Sequence, residues 1–448
     1  MFSTKEIAKA TGGQFDGADV KVSSVSTDTR SLQKGALFIA LKGENFDGND
    51  YIPKAAALGA AAAVSDRAGL TADIPIIRVK DGGKALLDIA RNYRERFNVK
   101  LCGVTGSVGK TSTKDMIYAV LSAKYKTLKT EGNLNNTVGE PEMLLRLNNV
   151  HEAAVIEMGM SGRGEISAMS AAARPDCCVI TNIGWCHIEQ LKTRENILAA
   201  KLEILDGASE NAPLIVCGDD EFLGGLTKEQ IKAHKLIKYG FNEDNDVRAV
   251  NVTHINGGEE FTLRYKNAEF NVRLNVVGEH HILNALAAFA VGVEFGMNAE
   301  EIIPAFLNYE ASGMRQRIEK RGDVTVILDC YNASPTSMKS ALNVLSTMSG
   351  RKIAVLGDML ELGEKSRELH AGLAEFSELA DEFFLCGEEM AALREELVKK
   401  GVRVTQSADK EKLSEELLKE IKSGDVILFK GSRGMKMEEI AEKIGGNV

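Results

Sequence analysis

The sequence predicts an α/β protein made of three successive α/β domains. Three observations lead there. Short apolar runs alternate with segments of helical period along nearly the whole chain, which is the βαβ pattern of parallel sheets. One run passes directly into a glycine-rich loop that opens a helix, the order a phosphate-binding loop requires. Several later runs end in glycine at the carboxyl tip, where open α/β sheets bind ligands. A chain of 448 residues with 44% hydrophobic content suffices for several cores.

In residues 1–82, "GALFIALKG" predicts a strand and "YIPKAAALGAAAAV" an Ala-rich helix running into another, together a small α/β domain. The pattern resets at Asp81-Gly82-Gly83, and residues 83–312 form the central domain. It begins with a helix through Leu86 and Ile89. The strand "VKLCGV" follows and runs into "VTGSVGKTSTK", after which Met116, Ile117, Val120 and Leu121 recur at helical spacing. "AAVIE" and "CCVITNI" are further strands of a mostly parallel sheet. Between Val250 and Leu274 the period changes to two, with Phe261, Leu263 and Tyr265, then Phe270, Val272 and Leu274, alternating about Asn256-Gly257-Gly258. This predicts an antiparallel insertion, and a helix from His281 to Val293 follows it. Residues 313–448 start a new series with strands "VTVIL", "KIAVLG", "EFFLCG" and "DVILFKG", a Rossmann-like domain.

Composition narrows the function classes. The net charge of −9 comes from interspersed acids and bases, which argues against nucleic-acid binding and attachment to an anionic membrane. No apolar run approaches the roughly 20 residues that span a bilayer, and Met1 to Ala10 lacks the pattern of a signal peptide. A cytoplasmic location is expected. Seven cysteines without a C-x-x-C pair fit reduced, buried thiols better than disulfides or a zinc site.

The glycine loop departs from G-x-x-x-x-G-K-[ST], because Val104 stands where the first glycine is expected. Gly106 and Gly109 still let backbone N–H groups turn toward phosphate oxygens, and the following helix adds its positive end. Lys110 supplies a mobile cation for the β and γ phosphates, and the Thr111 hydroxyl is placed to ligate Mg²⁺. The motif therefore predicts nucleotide binding. Glu157 ends a buried strand where a nucleotide-bound Mg²⁺ needs a carboxylate, the alternative being a solvated strand-end glutamate. His187 in "NIGWCHIE" is either a site residue or a structural loop histidine. Lys201 shares a helix face with Ile197 and Leu205, placing a lysine in an apolar stripe. Either it snorkels to solvent, or desolvation lowers its pKa and the neutral amine takes up carbon dioxide as a carbamate, an anionic metal ligand.

Together these residues make the chain resemble the Mur ligases, the ATP-dependent enzymes that assemble the peptide of peptidoglycan. The family's own form of the loop is T-G-x-x-G-K-T, here Thr105 to Thr111 with no glycine at position 104. The resemblance implies ATP phosphates held by Thr105, Gly106, Ser107, Gly109, Lys110, Thr111 and Ser112. It implies one Mg²⁺ on Thr111 and Glu157 and a second near His187 and carbamylated Lys201, with Lys110, His187 and Lys201 serving catalysis. In "GEHHILNALAAFAV", Asn284 maps to the adenine contact and His280 also matches, while His281 replaces the family's usual Asn. Arg315 maps to the linker arginine that reaches ATP, and Asp329 to a ribose contact, with Leu328 where the family often has a first aspartate.

The two ends imply the substrates. "STDTR" and "GALFIALKGENFDGNDYI" resemble the uridine-nucleotide domain shared by the third and fourth amino-acid-adding ligases. Ser26, Asp28, Arg30 and Asp47 are candidate contacts there, Asn49 stands in place of a usual histidine, and Asn136 is a further candidate substrate contact. "DCYNASPTSM", "LGDMLELG" and "KGSRGMKME" resemble the D-alanyl-D-alanine-adding branch, with Tyr331, Asn332, Lys430, Ser432 and Arg433 as candidate dipeptide contacts. The D-N-P-R box of the diaminopimelate-adding sibling is absent. The resemblance thus implies UDP-N-acetylmuramoyl-tripeptide and D-alanyl-D-alanine as small-molecule partners of a monomer, with the third residue open between lysine and diaminopimelate. The runner-up is the sibling that adds the third amino acid to UDP-N-acetylmuramoyl-dipeptide. A P-loop nucleotide switch is the reading from another class, but no N-K-x-D box occurs and no D-x-x-G follows the loop.

Overall fold

The computed structural model describes every residue except 1, 16, 233 and 445–448. Among the described residues the strands form a five-stranded sheet near the amino terminus, a nine-stranded sheet in the middle and a six-stranded sheet at the carboxy end. A small antiparallel pair joins Phe2–Ser3 to Lys21–Val22.

In the central sheet the strand Lys100–Thr105 lies between Ala153–Glu157 and Cys177–Ile180 and runs parallel to both. The chain builds outward first on one side and then on the other, so the tip of Lys100–Thr105 is a switch point, where such sheets leave a ligand crevice. The strands Val247–Ile255, Gly258–Tyr265 and Ala268–Leu274 form the expected antiparallel meander. They extend the same sheet, because Val247–Ile255 pairs in parallel with Leu236–Gly240.

The helix after the glycine loop, Lys110–Ser122, packs beside Glu279–Glu294 on one face of this sheet. Met116, Ile117 and Val120 are buried with Ala285, Ala288 and Phe289 in one core. Each fully buried large apolar side chain contributes about 1.5–3 kcal/mol. The left-handed backbone of the loop costs roughly 1–3 kcal/mol per strained residue, and glycine avoids most of it, so the core can fix the loop's shape.

In the carboxy-terminal sheet Val324–Asp329, Val426–Lys430, Lys352–Gly357, Glu382–Cys386 and Arg403–Ser407 run parallel, and Arg317–Arg321 adds an antiparallel edge. The last strand is inserted between the first two parallel ones, which brings Asp329 beside Lys430. All seven cysteines are free thiols. Among the described residues no helix is long and apolar enough to cross a membrane.

Candidate active site

Val104 is fully buried in its strand, opposite Glu157 on one side and Val179 on the other. At this position the chain is still sheet and needs no glycine. The turn comes at Gly106, with φ +152°, where an added Cβ would lie 1.8 Å from the Thr181 hydroxyl, and at Gly109, with φ +83°. Thr181 and Asn182, just beyond Cys177–Ile180, brace the loop. The Thr181 hydroxyl donates to the carbonyl of Val108 at 2.6 Å, and the Val108 N–H donates to Asn182 Oδ1 at 3.0 Å. Lys110 Nζ folds back onto the carbonyl of Gly106 at 2.9 Å. Thr105 is buried and its hydroxyl donates to the carbonyl of Met158 at 2.8 Å, tying the loop strand to its neighbour.

Thr111 Oγ1 donates to Glu157 Oε2 at 2.9 Å, and Asn135 Nδ2 donates to Glu157 Oε1 at 2.7 Å. This buried hydroxyl–carboxylate pair fits a hard divalent cation. Among the described residues no group of three or more His, Cys, Asp or Glu converges, which suits Mg²⁺, since that ion takes one or two carboxylates and completes its shell with phosphates and water.

Lys201 is 2% exposed and makes no hydrogen bond among the described residues; burial, with the charge of Lys110 adding, pulls its ammonium down to about 7. As an amine Lys201 does not fit a metal site of oxygen donors. As a carbamate it does, and a substantial neutral fraction at neutral pH is what carbamate formation requires. His187 Nδ1 lies 2.8 Å from Glu361 Oε2, and this bond from His187 holds the Glu361 carboxyl below its usual range. A carboxylate on one ring nitrogen leaves the other to face a metal, the usual outer-shell arrangement.

Asn284 Oδ1 accepts from Thr113 Oγ1 at 2.7 Å, while its Nδ2 is buried without a partner among the described residues. That amide is a donor in want of an acceptor, as a contact to a nucleotide base would be. Tyr309 is buried, which raises its hydroxyl to about 12.

A cleft of about 750 Å³ opens between the central and carboxy-terminal sheets, and Ser107, Lys110, His187, Arg315, Tyr331 and Arg433 line it. Asn332 and Ser432 line it too. The Arg315 guanidinium sits 3.7 Å over the Tyr331 ring. Ser432 accepts the Leu360 N–H at 2.8 Å, and Arg433 pairs with Glu438 at 2.5 Å. Asp329 and Lys430 lie behind this surface. Lys430 is 2% exposed, its ammonium bound to Asp329 at 2.6 Å and to the carbonyl of Asn332 at 3.0 Å.

The amino-terminal candidates form a separate group and do not line the cleft. Ser26 Oγ donates to the carbonyl of Asp28 at 2.9 Å, and Arg30 pairs with Asp28 at 2.6 Å, lowering the Asp28 carboxyl. Asp47 is pulled to about 2 by Arg67 and by the Asn49 N–H. Asn49 is buried and braces this corner, donating to Asp47 and Asp66 and accepting from Ser65. Asn136 accepts the N–H of Gly139 at 2.8 Å and so starts the helix Gly139–Leu144.

Residues 104–292 match the Mur ligase middle domain, residues 315–433 the Mur ligase glutamate ligase domain, and residues 21–94 the Mur ligase family catalytic domain. The chain belongs to the Mur ligase family. A relative from Bacillus subtilis (strain 168), named UDP-N-acetylmuramoyl-tripeptide–D-alanyl-D-alanine ligase, is 38% identical, covering 98% of this chain and 96% of its own. The crystal structure of MurF from Acinetobacter baumannii superposes with a TM-score of 0.93 at 31% identity, covering 99% and 98% of the two chains. The Thermotoga maritima MurF ligase in complex with ADP gives 0.85 at 30% identity, covering 94% and 97%.

Within this Mur ligase fold, residue patterns alone missed Asn135, Thr181, Asn182, Arg67 and Glu361. Each acts through a partner distant in sequence. "TNI" after an apolar strand was the one local signal for Thr181 and Asn182.

Proposed function

We propose that the chain is an ATP-dependent amide ligase that joins D-alanyl-D-alanine to UDP-N-acetylmuramoyl-tripeptide, releasing ADP and phosphate. The observation that carries the chemistry is the single cleft in which Lys110 and His187 face Arg315, Tyr331 and Arg433 from the other sheet. The full-length similarity to the Bacillus subtilis enzyme supports the choice of amine. In this reading residues 1–82 hold the uridine nucleotide through Ser26, Asp28, Arg30 and Asp47. Residues 83–312 hold ATP, and residues 313–448 bring Tyr331, Asn332, Ser432 and Arg433 to the dipeptide. Lys430 serves by holding Asp329 and the Asn332 carbonyl in place.

The substrate carboxylate attacks the γ-phosphate of ATP, and both are anions, so repulsion is the first barrier. Lys110 leaves the Gly106 carbonyl for the phosphates, and the N–H groups of the loop surround them. Mg²⁺ on Thr111 and Glu157, and a second on His187 and carbamylated Lys201, would supply further neutralisation of phosphate and carboxylate oxygens. Arg315 approaches the nucleotide from the opposite wall. The acyl phosphate formed is then attacked by the amine of the dipeptide, and phosphate leaves. An α-amino group with a pKa of about 8 is partly neutral near pH 7 and needs no dedicated base. Closure of the cleft keeps water from the acyl phosphate.

Phosphate release measured with each substrate omitted in turn tests this reading. A ligase requires both carboxylate and amine. Undiminished release without the amine would indicate a nucleotide switch and overturn the proposal.

A further inference from the structure

The segment joining the central and carboxy-terminal sheets runs from Tyr309 to Arg317 and is fastened to the central domain at three points. Tyr309 is buried in the central core, its ring 5.5 Å from that of His281. Ser312 Oγ donates to Asp115 Oδ2 at 2.7 Å, and Asp115 is itself buried and held by Lys129 at 2.8 Å and Lys114 at 3.1 Å. Asp115 lies on the helix that the glycine loop opens.

The third point is different in kind. Gln316 Oε1 is 2.7 Å from His280 Nε2 and 3.0 Å from His281 Nε2, two rings tilted at 46° with centroids 4.2 Å apart. An amide oxygen only accepts, so both imidazoles must carry their proton on Nε2. Burial keeps both rings neutral, pulling His280 below the ordinary histidine range and His281 well below it, so the donor at each Nε2 is the Nε2–H tautomer. Gln316 adopts a left-handed backbone, φ +49°, which a non-glycine residue holds only where its surroundings enforce it. The histidines are fixed in turn, because buried Glu259 accepts the Gly278 N–H at 2.6 Å just before their helix begins. The residue preceding Gln316 is Arg315, which leans over Tyr331 in the cleft.

We propose that Gln316 is the positioning residue of this linker: by taking both imidazole donors on one amide oxygen, it holds the backbone turn that aims Arg315 at the nucleotide. This rests on the reading that ATP binds the cleft. Gln316 does not line the cleft, so its loss acts through Arg315 and affects the nucleotide, whereas Ser26 and Asp28 belong to the amino-terminal group outside the cleft.

The test measures binding of a non-hydrolysable ATP analogue with Mg²⁺ by the fluorescence of Trp185, the single tryptophan and a residue of the cleft wall. Gln316→Met removes the acceptor at similar size and should weaken the analogue about tenfold, the order expected for losing a buried hydrogen-bonded contact. Gln316→Glu keeps an oxygen acceptor and should recover most of that loss. In turnover, KM for ATP rises in Gln316→Met while KM for the uridine nucleotide substrate does not. Should Gln316→Met fail to fold, His281→Phe keeps the ring beside Tyr309, removes one donor, and should weaken the analogue by about threefold. Wild-type affinity in Gln316→Met, or in His281→Phe where that variant stands in, overturns the proposal. So does a Gln316→Glu as weak as Gln316→Met. These are binding measurements independent of which amine is ligated, and absence of analogue binding in the wild type would instead overturn the nucleotide reading.

Discussion

The Thr111 hydroxyl donates a 2.9 Å hydrogen bond to the Glu157 carboxylate, joining the glycine loop to the neighbouring strand at the point where a nucleotide-bound metal belongs. Asn135 fixes the other Glu157 oxygen. Asn135→Ala should therefore weaken metal binding by about 10–100-fold, the range for losing an outer-shell partner, while leaving the fold intact. Titration of Mn²⁺ in the presence of an ATP analogue, followed by electron paramagnetic resonance, measures this directly. An unchanged affinity would remove Glu157 from the metal site.

Lys201 makes two linked predictions. Lys201→Ala should abolish turnover, and short carboxylates added to the assay should restore part of it by replacing the carbamate oxygens. Full activity in the unrescued variant would exclude the carbamate. For stability, the folded pKa of about 7 lies below the ordinary lysine value of 10.5, so between these values the unfolded chain binds more protons and stability rises with pH. Lys201→Met removes that dependence. Its gain in thermal midpoint over wild type should be largest below pH 7 and shrink as pH rises toward 10.

Glu140 is fully buried in the helix Gly139–Leu144, and neither carboxylate oxygen has a hydrogen-bond partner among the described residues. Burial raises its carboxyl well above 4.5, so the folded state keeps a proton that the unfolded state gives up. Its contribution to stability is thus best at pH below about 4.5 and is lost as pH rises through the folded pKa. Glu140→Leu should stabilise the protein at neutral pH by about 1–3 kcal/mol, the cost of a buried unsatisfied group, with a smaller gain at pH 4. Urea unfolding at the two pH values checks the sign. Destabilisation at neutral pH would mean that Glu140 has a partner in solution.

Buried Lys430 and half-buried Asp329 pair across adjacent strands at 2.6 Å. Removing Asp329 alone leaves the buried Lys430 charge unpaired, which costs about 3–5 kcal/mol. Asp329→Asn with Lys430→Met should therefore be less destabilising than the sum of the single changes in a double-mutant cycle. Additive effects would free Lys430 for a direct contact with substrate.

Much of this site is legible in the sequence where the signal is local. The loop Thr105–Thr111 sits between an apolar strand and a helix of regular period, Glu157 ends an apolar run, and Lys201 interrupts an apolar stripe. Partners distant along the chain leave no such trace. Nothing near Gln316 announces that His280 and His281 will meet it, or that His187 will meet Glu361. Several strands were also missed; among them Arg317–Arg321 and Arg403–Ser407 are sheet edges whose charged and polar side chains carry little apolar alternation. His281, which departs from the family's usual Asn, gains its reason only from the folded linker.

The most direct test of the account is the identity of the amide formed. The enzyme is incubated with ATP, Mg²⁺ and either UDP-N-acetylmuramoyl-tripeptide with D-alanyl-D-alanine or UDP-N-acetylmuramoyl-dipeptide with single amino acids, and products are followed by mass spectrometry alongside ADP. The account predicts ADP and a pentapeptide product from the tripeptide with the dipeptide amine, and neither from the other combination. A tripeptide product from UDP-N-acetylmuramoyl-dipeptide and a single amino acid would contradict it.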